Sequence, residues 1–334
     1  MRHSKPHTKN QYKRFETVCC VAHPWRECAY AADTHCMTAT NNDEINQMTV
    51  RNSIVGCLLA GALGDSVGAY CENQPNPQFK LDINLRVTDD TQLTIATCES
   101  IIRSSSVEPE SIAQRMTDWF RERRITGIGA STLKSLTELN AGGHWATVGA
   151  TGERSAGNGA AMRIAPLAFF LDPCDDWDRT TIRDVCRITH RNDEAYLGAL
   201  AILYSINRNQ LDHELVEYLI DKLPDSRIRD RFVEVDTQKL TTAKLASRYK
   251  PSGYVVDSVP VAILSAIESD NLLNTIKSIV EFGGDTDTIA SMFGHIFGAI
   301  HGTESLPMDI VEKIDEFELV LRTAAQLYQT TADQ

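Results

Sequence analysis

Basic residues are scarce in this chain. Across 334 residues, 33 Lys and Arg stand against 45 Asp and Glu, a formal net charge of −12. That balance excludes a general affinity for nucleic acid or an anionic membrane, both of which need a positive field. Strand-like alternation is also scarce, so a sheet-based fold is not expected. No apolar run suggests a membrane span of roughly 18 residues. The basic N-terminus has no continuous apolar stretch of the kind a secretory signal needs. The nine cysteines fall at irregular spacings without a disulfide framework, which points to reduced thiols and a cytoplasmic protein. No fixed-period repeat is present.

Helical patterning is abundant. Ile54, Val55, Leu58, Leu59 and Ala62 recur at helical spacing after Thr49, a plausible N-cap. Further helical patterns cover 91–103, 109–121, 129–139, 160–171, 178–190, 193–207, 211–222, 258–268, 271–282, 287–301 and 307–328, with long loops expected at 73–87, 140–158 and 223–257. The expectation is an all-α globular domain over residues 49–334. Gly56, Gly61, Gly64 and Gly68 crowd the first helix, although each interior glycine costs about 1 kcal/mol. Close helix packing or close approach to a ligand explains such density.

Residues 1–48 differ from the rest and are expected to form an extension or partner-binding arm. Cys19, Cys20, His23, Cys28, His35 and Cys36 lack a C-x₂-C…H-x₃-H pairing, which favours free thiols over zinc. Tyr12, Phe15, Trp25 and Tyr30 would suit a protein contact.

The chemistry concentrates in two acidic clusters, Thr88-Asp89-Asp90-Thr91 and Gly283-Gly284-Asp285-Thr286-Asp287-Thr288, each opening an expected helix. Carboxylates packed this closely repel, and burial raises the cost. Divalent cations would remove it. Helix capping is the alternative, since an Asp at a helix start satisfies free N–H groups. Two Asp with flanking Thr, twice, exceed what capping needs. Both accounts remain open on these residues alone. His295 and His301 form no His-Asp pair, which weighs against an HD-type phosphohydrolase.

Three more segments carry signals. Gly64-Asp65-Ser66-Val67-Gly68-Ala69-Tyr70-Cys71-Glu72 ends the first helix with an acid. Gly157-Asn158-Gly159-Ala160-Ala161-Met162-Arg163 is a tight turn entering an apolar stretch, suited to a phosphate or simply a turn. Thr189-His190-Arg191-Asn192 lies at a helix junction, where His190 has a plain helix-end explanation. Asp65 is expected to support the site rather than to ligate metal. Arg163 is expected either to neutralise a phosphate or to pair with the acidic cluster.

In this order the segments resemble the ADP-ribosylglycohydrolase family, which includes dinitrogenase reductase-activating glycohydrolase and the ADP-ribosylarginine and ADP-ribosylserine hydrolases. The resemblance runs from about Thr49 to about Gly302. It rests on G-D-S-V-G-A-Y-C-E, T-D-D-T-Q-L-T, G-I-G-A-S-T, G-N-G-A-A-M-R-I-A-P, T-H and G-G-D-T-D-T-I-A. It implies a compact all-α fold around a binuclear site for two Mg²⁺ or Mn²⁺. Thr88, Asp89 and Asp90 would supply one set of metal ligands, and Asp285, Asp287 and Thr288 the other. Hard oxygen donors suit these ions and argue against zinc or copper.

Carried over residue by residue, Glu72 matches the acid beside the scissile ribose. Together with Asp89, Asp90 and Asp287 it forms the candidate catalytic set. Ser155, Gly157, Asn158 and Gly159, running on to Met162, match the part that holds the diphosphate and nearby ribose. His190 matches a residue on the adenine side, and Gly127 to Gly129 another substrate-lining loop. Ala156 departs from the aromatic found in some members. The loop from Asn73 to Val87 would gate the site.

The implied substrate is an ADP-ribosylated protein side chain, arginine first by analogy. An immunity role follows if residues 1–48 bind an ADP-ribosyltransferase toxin. The alternative is a stoichiometric inhibitor that occludes such a transferase through that arm.

Overall fold

The computed structural model describes residues 41–72, 74, 79–81 and 84–332, with side chains from Thr49 onward. Residues 1–40, including the Cys/His group and the contact aromatics of the expected arm, lie outside the described residues. So do 73, 75–78, 82 and 83 of the expected gate loop.

The helical class is as expected. Among the described residues the strands are β1 (Ala150–Thr151) and β2 (His190–Arg191), a two-residue parallel pair with Ala150 opposite His190. The centre of the fold is one helix pair, α1 (Asn41–Cys71) against a late helix, Thr286–His301. Gly56, Gly64 and Gly68 of α1 face Gly298, Ala290 and the Thr286–Asp287 backbone. A Cβ at any of the three would run into main chain across the seam. The glycine density therefore serves backbone-to-backbone packing along the helix, and at Gly68 it reaches the second acidic cluster. His295 fills the notch at Gly61, with Nδ1 3.0 Å from the Cys57 carbonyl oxygen. Burial lowers its pKa to about 4, so it is neutral.

One expectation needs correcting. Thr49–Cys71 is long and apolar enough to cross a membrane by length and composition. Its small residues, Gly and Ala, dilute the apolar run enough to hide it from inspection. In this fold 89% of its apolar window is buried in protein.

Further helices surround the pair. They are α2 (Asp89–Ser104), α3 (Pro109–Arg121), α4 (Ala130–Asn140), α5 (Trp145–Val148), α6 (Asp176–Arg187) and α7 (Asp193–Asn207). Then follow α8 (Glu214–Lys222), α9 (Arg227–Gln238), α10 (Thr242–Tyr249), α11 (Val255–Ile267), α12 (Leu272–Phe282), and α13, the Thr286–His301 helix. The chain ends with α14 (Met308–Val311) and α15 (Phe317–Ala332), the latter packed on α1 and α2.

Four expected boundaries fail. The first helix begins at Asn41, so Thr49 lies inside α1 and does not cap it. The 223–257 loop is mostly helical. Ser226 and Thr241 cap α9 and α10 by accepting the Arg229 and Lys244 N–H groups, and Ile228, Phe232 and Val235 bury one face of α9. The 160–171 helix is instead two 3₁₀ turns, Ala161–Arg163 and Ala165–Phe169, with Pro166 at the start of the second. The 307–328 helix breaks between α14 and α15.

Candidate active site

The first acidic cluster opens α2, but its own acids do not cap that helix. Asp65, buried on α1, does so from across the interface. Its carboxylate accepts the Thr88 N–H at 2.9 Å, the Thr91 N–H at 3.1 Å, and the Thr88 and Thr91 hydroxyls at 2.6 and 2.5 Å. Four donors on one carboxylate leave it little capacity for a metal, and they free Asp89 and Asp90 from capping duty. The Asp89 N–H is held by the Thr126 carbonyl at 2.9 Å. Gly127, at φ +80°, turns the loop tightly over the Asp89 carboxylate.

The second cluster repeats this logic. Asp285 stands at the start of α13 but makes no capping bond; its carboxylate instead accepts the Asn158 amide at 2.7 Å. Asp287 takes the Thr288 N–H at 2.8 Å. The start of α13 is fixed by Thr286, whose hydroxyl donates to the Gly68 carbonyl at 2.8 Å. Helix capping therefore leaves Asp89, Asp90 and Asp285 unexplained; only Asp287 takes a free N–H at its helix start.

The clusters meet directly: the Thr288 hydroxyl lies 3.3 Å from Asp90 Oδ2. Carboxylate oxygens of Asp65, Asp90 and Asp287 all lie within 4.8 Å of one another, as do those of Glu72, Asp285 and Asp287. Burial, then repulsion from neighbouring carboxylates, pushes three of the acids up. Asp89 rises to about 7, Asp287 to about 9, and Asp90 well above the carboxylate range. Asp90 Oδ1 is buried without a hydrogen-bond partner. An orphaned carboxylate oxygen inside a repelling cluster of hard donors fits a divalent oxygen-seeking cation.

A wall of different character faces this floor. The Gly157–Gly159 turn is pinned by the Asn158 N–H to the Gly253 carbonyl at 3.0 Å, and the Val255 N–H donates to Ala156 at 3.0 Å. Arg163, fully buried, donates to the carbonyl of Gly159 and to the Thr189 hydroxyl, the latter at 2.7 Å. Thr189 in turn lies 2.8 Å from His190 Nδ1. Burial and the nearby guanidinium lower the His190 pKa to about 3.

Floor and wall enclose a cleft of about 380 Å³, within the range of small-molecule sites. Its rim includes the exposed Glu72, and its lining includes the N-terminus of α4 at Gly129 to Thr132. No Lys or Arg lines it among the described residues.

The family profile described as ADP-ribosylglycohydrolase matches residues 46–334. The chain belongs to the ADP-ribosylglycohydrolase family. An uncharacterized protein of Archaeoglobus fulgidus is 30% identical over 312 residues, covering 84% of this chain and 95% of its own. The ADP-ribosylarginine hydrolase Tri1 of Pseudomonas putida is 27% identical, covering 82% of this chain and 77% of its own. The ADP-ribosylhydrolase ARH3 of Xenopus tropicalis is 25% identical, covering 76% and 88%. A solved structure titled as an ADP-ribosylglycohydrolase-related protein complex superposes with a TM-score of 0.63 at 21% identity, covering 85% of this chain and 99% of its own. That likeness supports the fold.

In this ADP-ribosylglycohydrolase, Glu72, Asp89, Asp90, Gly129, Gly157, Asn158, Gly159, Met162, His190, Asp285, Asp287 and Thr288 all line the cleft. Thr88 and Ser155 do not. The Thr88 hydroxyl donates to Asp65 Oδ1 at 2.6 Å and lies 3.3 Å from Asp90 Oδ2. Ser155 is buried and donates to the Thr151 carbonyl at 2.7 Å. Arg163 neither faces the cleft nor pairs with a carboxylate; it holds the wall from behind. His190 sits on β2 rather than at a helix end. Ser252, Gly253 and Gly284 were missed as lining residues. The Pro251-Ser252-Gly253 turn signal falls within the expected 223–257 loop.

Proposed function

We propose that the chain releases ADP-ribose from modified protein side chains, arginine first, by metal-assisted hydrolysis of the glycosidic bond. One observation carries this: the acidic floor and the glycine wall face each other across a single cleft, joined by the Asn158–Asp285 hydrogen bond. Likeness to an ADP-ribosylarginine hydrolase supports the arginine linkage.

The bond that breaks joins the anomeric carbon of the distal ribose to the side-chain nitrogen. Its electron pair leaves with the nitrogen, and positive charge grows on the ring. Asp89, Asp90, Asp285 and Asp287, with the Thr88 and Thr288 hydroxyls, would hold two Mg²⁺ or Mn²⁺. Bound there, such ions supply Lewis acidity toward ribose hydroxyls and water. The carboxylate floor stabilises the developing ring charge by field alone. Glu72, in contact with solvent at the rim, is placed to take the proton of the attacking water and pass it to the leaving guanidine. The Gly157–Gly159 turn and the first turn of α4 offer N–H groups to the diphosphate.

Among the described residues Cys57, Cys98, Cys174 and Cys186 form no disulfide, which supports a reducing compartment such as the cytoplasm. An immunity role rests on residues 1–48 and is tested by deleting them in cells that carry an ADP-ribosyltransferase.

The enzymatic test is ADP-ribose release from arginine-modified and serine-modified protein, with Mg²⁺ or Mn²⁺, beside Asp89→Ala. We expect turnover of the arginine substrate and none by the variant. Full turnover after chelation would sink the metal-assisted mechanism. Turnover of the serine substrate alone would reassign the linkage.

A further inference from the structure

We propose that Arg163 and Thr189 form a relay that fixes His190 as a neutral imidazole with its proton on Nε2, a permanent donor in the glycine wall. A guanidinium only donates hydrogen bonds. Arg163 Nη2 lies 2.7 Å from Thr189 Oγ1, so it occupies a lone pair of that hydroxyl. The single hydroxyl hydrogen is then free for His190 Nδ1 at 2.8 Å. Nδ1 must accept it. A neutral imidazole that accepts at Nδ1 carries its hydrogen at Nε2.

The surroundings reinforce this assignment. The Nε2 edge lies against the glycine turn: a Cβ at Gly157 would stand 2.9 Å from Nε2, and one at Gly159 2.8 Å from Cε1. The ring thus occupies the space that side chains at both positions would need. The same arginine grips the Gly159 carbonyl, which turns that acceptor toward the interior and away from the cleft. The partners of Arg163 are neutral oxygens, and its Nε has none. Its charge is therefore uncancelled by an ion pair and lies behind a cleft that no Lys or Arg lines among the described residues. The wall as a whole shows donors backed by a buried positive charge. That chemistry suits the anionic diphosphate half of the substrate and repels a cation. Arg163 and Thr189 are positioning residues, since both act through His190 and the turn. The inference relies on the ADP-ribose reading only for the identity of the ligand.

The relay is tested on the full chain with ¹⁵N-labelled histidine, reading the two ring nitrogens by long-range ¹H–¹⁵N spectra and assigning His190 by its loss in His190→Gln. The wild type should show a pyridine-type Nδ1 and a pyrrole-type Nε2 throughout neutral pH. Thr189→Val should mix the tautomers and weaken ADP-ribose binding by about tenfold, with a lower melting temperature because Arg163 loses a buried acceptor. Thr189→Ser should restore both. A wild-type His190 protonated on Nδ1, or one titrating near neutral pH, overturns the relay, as does an unmixed tautomer in Thr189→Val. If the tautomer is as stated and ADP-ribose does not bind the wild type, the relay stands and the substrate reading fails.

Discussion

The floor and the wall of the cleft are built on opposite principles. The floor hangs from the starts of α2 and α13, braced by Asp65 of α1, and is electrostatically unfinished: its acids repel, and Asp90 keeps an oxygen without a partner. The wall is made of turns and one two-residue strand, yet its polar network is almost closed through Arg163, Thr189 and His190. Rigid helices hold a conflict that a ligand charge must relieve. Irregular backbone holds an arrangement that needs no ligand. The lesson is that order in secondary structure and completeness of bonding are separate properties, and this site divides them between its two sides.

Four experiments break or sharpen that contrast, the strongest first. Asp287→Ala should abolish hydrolysis and cation binding while leaving the His190 ring spectrum unchanged. A changed spectrum would show that the two sides are not independent. Gly64→Val drives a side chain into the Ala290 backbone. It should cost about 1–3 kcal/mol of stability and weaken cation affinity, read by melting and by calorimetry.

The third concerns pH. Asp89 and Asp287 have folded-state pKa values raised to about 7 and about 9. The folded form therefore holds protons that the unfolded chain has already released, and the stabilising effect is complete only below the unfolded carboxylate range. Without metal, the melting temperature should fall as pH rises from about 4 to about 9. Saturating Mg²⁺ should flatten that slope. A metal-free protein with no slope would mean that the floor ionises without strain. The smallest effect is expected outside both regions. Trp177→Ser removes a side chain that is 84% exposed and should leave turnover unchanged, with stability within about 0.5 kcal/mol.

Much of this was legible in the chain itself. The acidic runs, the Gly-Asn-Gly turn and Thr189-His190 are local signals, and each marks its own helix start or turn. The helices α9 and α10 escape that local reading, which expects a loop over 223–257: Ser226 and Thr241 offer caps, but polar composition masks the narrow apolar faces. Other features were beyond local reading. Asp65 caps a helix 23 residues away, and the duty of Arg163 depends on residues brought near it by folding. Capping and metal binding could not be separated until the partner of each backbone N–H was known. The glycines of α1 had two explanations, and the position of α13 decided between them.

The seam between α1 and α13 also dictates when the molecule can become an enzyme. The bond from Thr286 to Gly68 closes a span of 218 residues. A nascent chain carries Asp89 and Asp90 out of the ribosome early and must keep them in solvent until Thr286 to Thr288 arrive. Closing so long a loop makes the centre a late event in folding. Enzymatic turnover thus reports that synthesis has passed the second cluster and that the two helices have docked.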